Sequence, residues 1–149
     1  MIGKKYSVIL KLLLVLAFSL NLCGASIKFA KKMNYETNYE QALKKAIKND
    51  KPIMMVISTK TCPWCRKLEN QTLKKNIIND IVAKEFIPLS LNKSKTQYPS
   101  QYITKVVPTI FFIDPKKEKP YHISYGYKNK KTFSKVITKA VIDYKSINQ

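Results

Sequence analysis

Acidic residues are scarce in this chain: nine aspartates and glutamates stand against 28 lysines and arginines, and Arg66 is the only arginine. The lysines are spread along the whole sequence, and no aromatic-plus-arginine ribonucleoprotein signature is present. Nucleic acid is therefore not the expected partner, although so positive a field favours anionic surfaces or acidic partners. Histidine is nearly absent as well, with His122 alone. Cysteine is limited to Cys23, Cys62 and Cys65. If Cys23 is lost with the N-terminus, two cysteines and one histidine remain, short of the four ligands of a structural zinc site, so no metal and no cofactor is expected. No internal repeat and no second domain can be found. With 45% hydrophobic and 25% charged residues in 149, the chain falls among one-domain globular proteins rather than disordered or collagen-like ones. A chain of this size buries roughly two thirds of its unfolded surface, enough to fold without metal or several disulfide staples.

Long apolar runs are also missing, with one exception. Residues 12–20 (LLLVLAFSL) are uncharged and follow Lys4 and Lys5, the layout of a signal peptide's h-region after a positive n-region. Lys11 interrupts the stretch that a membrane span would need. Cys23, Gly24 and Ala25 put small residues where a signal peptidase reads, so residues 1–25 are expected to be a cleaved signal peptide. Residues 26–149 would then form the mature domain, starting at Ser26. A retained anchor and a lipid-attached Cys23 are the alternatives, the second disfavoured by the bulky Leu22. Cleavage would remove three lysines and lower the formal charge from +19 to +16. A periplasmic or otherwise exported location follows from that reading, with the membrane met only during export.

Apolar positions recur at three and four residues over 34–49, which predicts a helix ended by Lys51 and Pro52. Residues 53–57 (IMMVI) are continuously apolar, the pattern of a strand buried on both faces. Helical patterning resumes from Pro63 and continues to about Lys84, with a break expected near Lys75. Residues 86–91 predict a strand that Pro88 confines to an edge, an end or a bulge. A polar loop leads to a short helix around Tyr102, strands follow at 109–113 and 121–125, and Gly126 precedes a terminal amphipathic helix containing Phe133, Val136, Ile137, Ala140 and Tyr144. In the strand 121–125, strict alternation sets Tyr121, Ile123 and Tyr125 against His122 and Ser124, so His122 is expected to point outward or to satisfy a local hydrogen bond. It is given no catalytic role. The order is an α/β pattern with a helical crossover between the first two strands, and Thr61-Cys62-Pro63-Trp64-Cys65 falls at the carboxyl end of the first of them, where open α/β sheets place their chemistry.

Two cysteines three apart at a helix start lie on nearly one face, one turn apart, within reach of a disulfide. Cys62 sits near the N-cap, where unpaired N–H groups favour negative charge; thiolates so placed have pKa values lowered from about 8.5 to between roughly 3.5 and 7.5. Pro63 at the first helical turn gives up only an N–H that has no partner there. Lys60 and Arg66 flank the pair and add a modest positive potential. Trp64 is placed on the rim, either to contact a partner or simply to pack.

At these residues the sequence resembles the thioredoxin superfamily, in particular its exported single-domain members. The resemblance runs from about Tyr39 to Ala140: an early helix, Lys51-Pro52 before a strand, Cys62-Pro63-Trp64-Cys65, Val107-Pro108-Thr109 before the next strand, then Gly126 and a last helix. It implies a thioredoxin fold with a central mixed sheet of about four strands flanked by helices. It further implies a redox-active Cys62–Cys65 disulfide, a cis bond before Pro108, and a substrate surface made by Trp64, Val107 and Pro108. The activity implied is thiol-disulfide exchange with protein disulfides by a monomer, recharged by a membrane or periplasmic redox partner; the residues near the pair leave the direction open, with the reductase or isomerase role preferred. One departure stands out. Where thioredoxins carry a buried carboxylate in the strand before the motif, this chain has Val56, with no acid replacing it nearby in sequence. Three competing readings are a permanent structural disulfide, a non-catalytic binding module of the same fold, and a surface-attracted basic protein whose charge is the function.

Overall fold

The computed structural model describes residues 25–94 and 96–148. The expected signal peptide up to Gly24, including Cys23, lies outside the described residues. Helix α1 (Ala25–Met33) is the first element among the described residues, a helix that the sequence reading did not contain. It buries Phe29 and Ala30 and ends at Asn34, whose φ of 57° turns the chain so that the Tyr35 N–H donates to the Ala30 carbonyl at 2.9 Å. Tyr35 then meets Phe29 edge to face at 5.0 Å. The helix predicted from residue 34 starts later, as α2 (Tyr39–Asn49). Asn38 is extended and its side chain accepts the Gln41 N–H at 2.9 Å, so an N-cap replaces the earlier turn. The segment before it does different work: Glu36 forms a parallel bridge to Leu89.

Strand β1 (Ile53–Ser58) is buried throughout. It leads into α3 (Pro63–Leu68), which widens into a π-helical turn (Glu69–Leu73). After the break at Lys75 the chain resumes as α4 (Asn76–Glu85) and then β2 (Ile87–Asn92). A single 3-10 turn (Ser100–Tyr102) precedes β3 (Thr109–Asp114), β4 (Lys119–Tyr125) and α5 (Lys130–Ile147). The four strands form one mixed sheet in the order β2-β1-β3-β4, with β1 parallel to β2 and antiparallel to β3. This is the α/β sheet of four strands that the resemblance implies.

The continuous apolar runs of β1 and β3 follow from having a core on each face. Met54, Val56, Ile110 and Phe112 pack with Phe29, Leu68, Val82, Phe133 and Ile137. Ile53, Met55, Ile57, Phe111 and Ile113 pack with Tyr39, Ala42, Ala46 and Tyr102. Pro88 lies in the outer strand, as its missing donor requires. Ile87 donates inward to Pro52 and Ser90 outward to Glu36, and strand alternation puts the Pro88 nitrogen on the outward side, where the ladder needs no N–H.

The expected alternation along 121–125 is corrected by a bulge. Phe112 pairs with His122 but Ile113 with Pro120, leaving Tyr121 as the extra residue. Tyr121 and His122 consequently both approach the Phe112 ring, at 6.5 and 5.6 Å. His122 is turned toward α5 with its Nδ1 3.8 Å from Asp143 and a side chain 23% exposed, so it does not point out into solvent.

Helix α1 contributes one large side chain to a finished core. Phe29→Ala is expected to cost about 3 kcal/mol, read as a lower urea midpoint with an unchanged denaturant slope.

Candidate functional site

Cys62 is the N-cap of α3, with extended backbone (φ −80°, ψ 111°) and Pro63 in the first helical turn. Its Sγ accepts the Cys65 N–H at 3.0 Å, and its carbonyl accepts the Arg66 N–H at 3.2 Å. Cys62 and Cys65 are joined as a disulfide with Cα atoms 5.3 Å apart, inside the usual range. The two sulfurs are unequally placed. Cys62 is partly exposed, whereas Cys65 is 2% exposed. An incoming group therefore meets Cys62 first, and Cys65 can be reached only from within.

Pairing of β1 with β3 brings the second part of the site against the first. Ile57, near the end of β1, lies opposite Thr109, the first residue of β3. The Val107–Pro108 peptide is cis. The Val107 carbonyl oxygen stands 3.8 Å from Cys62 Sγ, and Pro108 is buried. The Thr109 hydroxyl donates to the Val106 carbonyl at 2.7 Å and lies 3.2 Å from the Thr104 hydroxyl. These bonds hold the loop 104–109 in one shape. On its other side, the Gly126 N–H donates to the Pro108 carbonyl at 2.8 Å. Gly126 has φ 73°, a conformation open to glycine at no steric cost.

Trp64 is 55% exposed and both packs and remains available. Its ring centroid is 5.8 Å from that of Tyr127, and Lys67 Nζ lies 5.0 and 4.9 Å from the two rings. Such cation–π contacts contribute about 0.5–1 kcal/mol at exposed sites. Arg66 turns back toward the motif, its Nη1 donating to the Lys60 carbonyl at 3.4 Å. Lys67 has a sequence signal, since it follows Trp64 by three residues on a helix. Tyr127 has none, because the fold alone brings it from sixty-three positions away.

Val56 is 1% exposed among apolar neighbours, as the sequence departure leads one to expect. The acid that lies close to the pair is instead Glu69, four residues beyond Cys65 and 6% exposed. That spacing puts it on the Cys65 face of the helix, and helical side chains lean toward the preceding turn. Burial raises its pKa above the ordinary 4.5, while Lys74 and Arg66 pull it down by less. Sequence inspection that looked only in the strand passed over it. Among the described residues, no group of three or more His, Cys, Asp and Glu side chains gathers to hold a metal ion.

The raised Glu69 pKa has a defined consequence for stability. The unfolded carboxyl ionises at lower pH than the folded one, so folding stability falls as pH rises from about 4.5 through the raised value. Glu69→Gln removes that loss. Its melting temperature is expected to exceed that of the wild type at pH 7 and to match it near pH 4, in parallel thermal scans of the oxidised proteins.

The mouse protein named anterior gradient protein 3 is 29% identical over 92 residues, covering 62% of this chain and 56% of that protein; the chain thus spans little more than half of that curated relative. The solution structure of a thioredoxin from Thermus thermophilus superposes with a TM-score of 0.67 at 17% identity, over 77% of this chain and 92% of that one. A DsbH oxidoreductase superposes with a TM-score of 0.60 at 18% identity, over 72% and 83%. The family model for the thioredoxin-like domain matches residues 39–141, from the first residue of α2 into α5, and on that match the chain belongs to the thioredoxin-like domain family.

Proposed function

We propose that this protein is a thiol-disulfide oxidoreductase that exchanges electrons with protein disulfides outside the cytoplasm. The observation that carries the reading is the disulfide itself, with a partly exposed Cys62 at a helix N-cap and a buried Cys65 one turn behind it. In the reduced protein the Cys65 N–H and the helix N-terminus favour the Cys62 thiolate over the thiol. That thiolate attacks one sulfur of a substrate disulfide, and the other substrate sulfur leaves as a thiolate and takes a proton from water. Cys65 then loses its proton and attacks Cys62 Sγ, releasing the second substrate thiol and restoring the intramolecular bond. The protein has lost two electrons and the substrate has gained two. A dithiol donor of the same compartment returns them by the reverse exchange.

Trp64, Val107 and Pro108 are the substrate-contacting residues of this reading: Trp64 is exposed beside the pair, and the Val107 carbonyl borders Cys62. Residues 1–25 supply the export signal, with removal after Ala25, on the strength of Lys4, Lys5, the apolar run 12–20 and the small residues before Ser26. We assign the reductase or isomerase direction. The cations around Cys62 stabilise the reduced thiolate and so raise the potential, which favours the isomerase end of that assignment over the reductase end.

Cys65→Ser removes the resolving sulfur, and covalent partners are expected to accumulate on Cys62 and to be released by dithiothreitol. Their absence, with Cys62 alkylating like a free thiol of pKa about 8.5, would favour a binding module with a structural bridge. Equilibration of the wild-type protein with glutathione is expected to give a couple between about −270 and −180 mV. A value near −120 mV reverses the direction assigned.

A further inference from the structure

Four carboxylates of this protein gather at one end of its sheet, while lysines stand at both. Asp50, Glu85, Asp114 and Glu118 stand where β1 and β2 begin and where β3 turns into β4, the end away from the disulfide. Three of them are held by lysines: Lys116 lies 2.8 Å from Asp50, Lys145 3.8 Å from Glu85 and Lys117 3.4 Å from Asp114. At the disulfide end the chain segments 59–69, 92–94, 103–109 and 125–129 contain Lys60, Arg66, Lys67, Lys93, Lys105 and Lys128, and one carboxylate, the buried Glu69.

Arg66 acts on the buried Glu69 carboxylate; the other contacts of these cations are with carbonyls and rings. Lys93 adjoins the end of β1 through its N–H, which donates to the Ser58 carbonyl. Lys128 donates to the Tyr125 carbonyl, Arg66 to that of Lys60, and Lys67 lies against the rings of Trp64 and Tyr127. None of the six is in a salt bridge among the described residues. Among them, large apolar side chains are exposed: Trp64 at 55%, Ile103 at 68%, Val106 at 49% and Tyr125 at 53%. An apolar patch framed by cations, with an openable disulfide beside it, matches a peptide surface of opposite charge.

We propose that the disulfide end of the sheet is a docking surface for acidic protein segments, in which the cystine to be exchanged is flanked by apolar residues and by aspartates or glutamates. This rests on the exchange reading above, because Cys62 attack is what reports the docking. Apolar side chains would seat beside Trp64 and Val106, and the flanking carboxylates would meet Lys60, Lys105 and Lys128. A positive field focused on one face raises the encounter rate of anionic partners by about 10- to 1,000-fold at low ionic strength, and like charge excludes basic ones.

The test uses the reduced protein and three cystine peptides of equal length and apolar content, flanked by aspartate, serine or lysine, together with the uncharged bis(2-hydroxyethyl) disulfide. Oxidation of the protein by the acidic peptide is expected to be at least about tenfold faster than by the basic one in low salt, the gap shrinking toward 1 M salt, where the screening length is about 3 Å. Lys60→Glu or Lys105→Glu should narrow the gap several-fold. Lys48→Glu, the same change of charge at the far end of α2, should leave it in place. Equal rates for the three peptides, with the small disulfide still reduced, overturn the docking proposal and leave exchange standing. A gap narrowed equally by Lys48→Glu also overturns it, since net charge and not this surface would then select. Failure to react with any of the four disulfides removes the exchange reading and the docking proposal together.

Discussion

The 3.0 Å hydrogen bond from the Cys65 N–H to Cys62 Sγ is the contact on which the rest of this site depends. It exists because Cys62 is extended while Pro63 and the residues after it are helical, so that backbone donors without helical partners point back at the sulfur. A fully buried β1 fixes where that helix begins. The two-sided core holds β1, and the helix in turn buries Cys65. Each level supplies the boundary condition of the next: apolar runs set the strand, the strand sets the helix start, and the helix start sets the chemistry of one sulfur.

The second half of the site arrives by a different route. Residues 104–109 are distant in sequence, and it is the antiparallel register of β1 with β3 that brings Val107 to Cys62. The loop is then held from both sides, by the threonine hydroxyls of residues 104 and 109 and by the Gly126 N–H. Its shape therefore depends on β3 and β4 together. A loop held from both sides has little freedom left to lose on binding.

Much of the architecture could be read from the chain, because buried strands and amphipathic helices leave strong periodic signals. The runs IMMVI and TIFFI are of this kind, and so is the terminal helix with Phe133, Ile137 and Ala140. The cysteine pair was legible because its spacing and its position after a buried strand are both local. Features created by tertiary packing were not. Helix α1 carries Phe29, Ala30 and Met33 on its apolar side and follows closely on the apolar run 12–20, which masks so short a pattern. The bulge at Tyr121 broke an alternation that looked regular and put Tyr121 on the Phe112 side together with His122, which faces α5. Glu69 drew no notice because a glutamate on a helix reads as solvated; its burial comes from the π-helical turn and the neighbours around it. Tyr127 meets Trp64 only once β4 and α3 are in place.

The two outer strands were described above for their irregularities: Pro88 and the Glu36 bridge on β2, Lys119, Pro120 and the extra residue Tyr121 on β4. Together these leave neither margin of the sheet a straight ladder of free backbone groups, the template on which strands of separate molecules add to one another. One margin is partly covered and lacks a donor; the other is kinked and bears a lysine and a proline. Backbone-mediated stacking into fibrils is thereby discouraged at both borders.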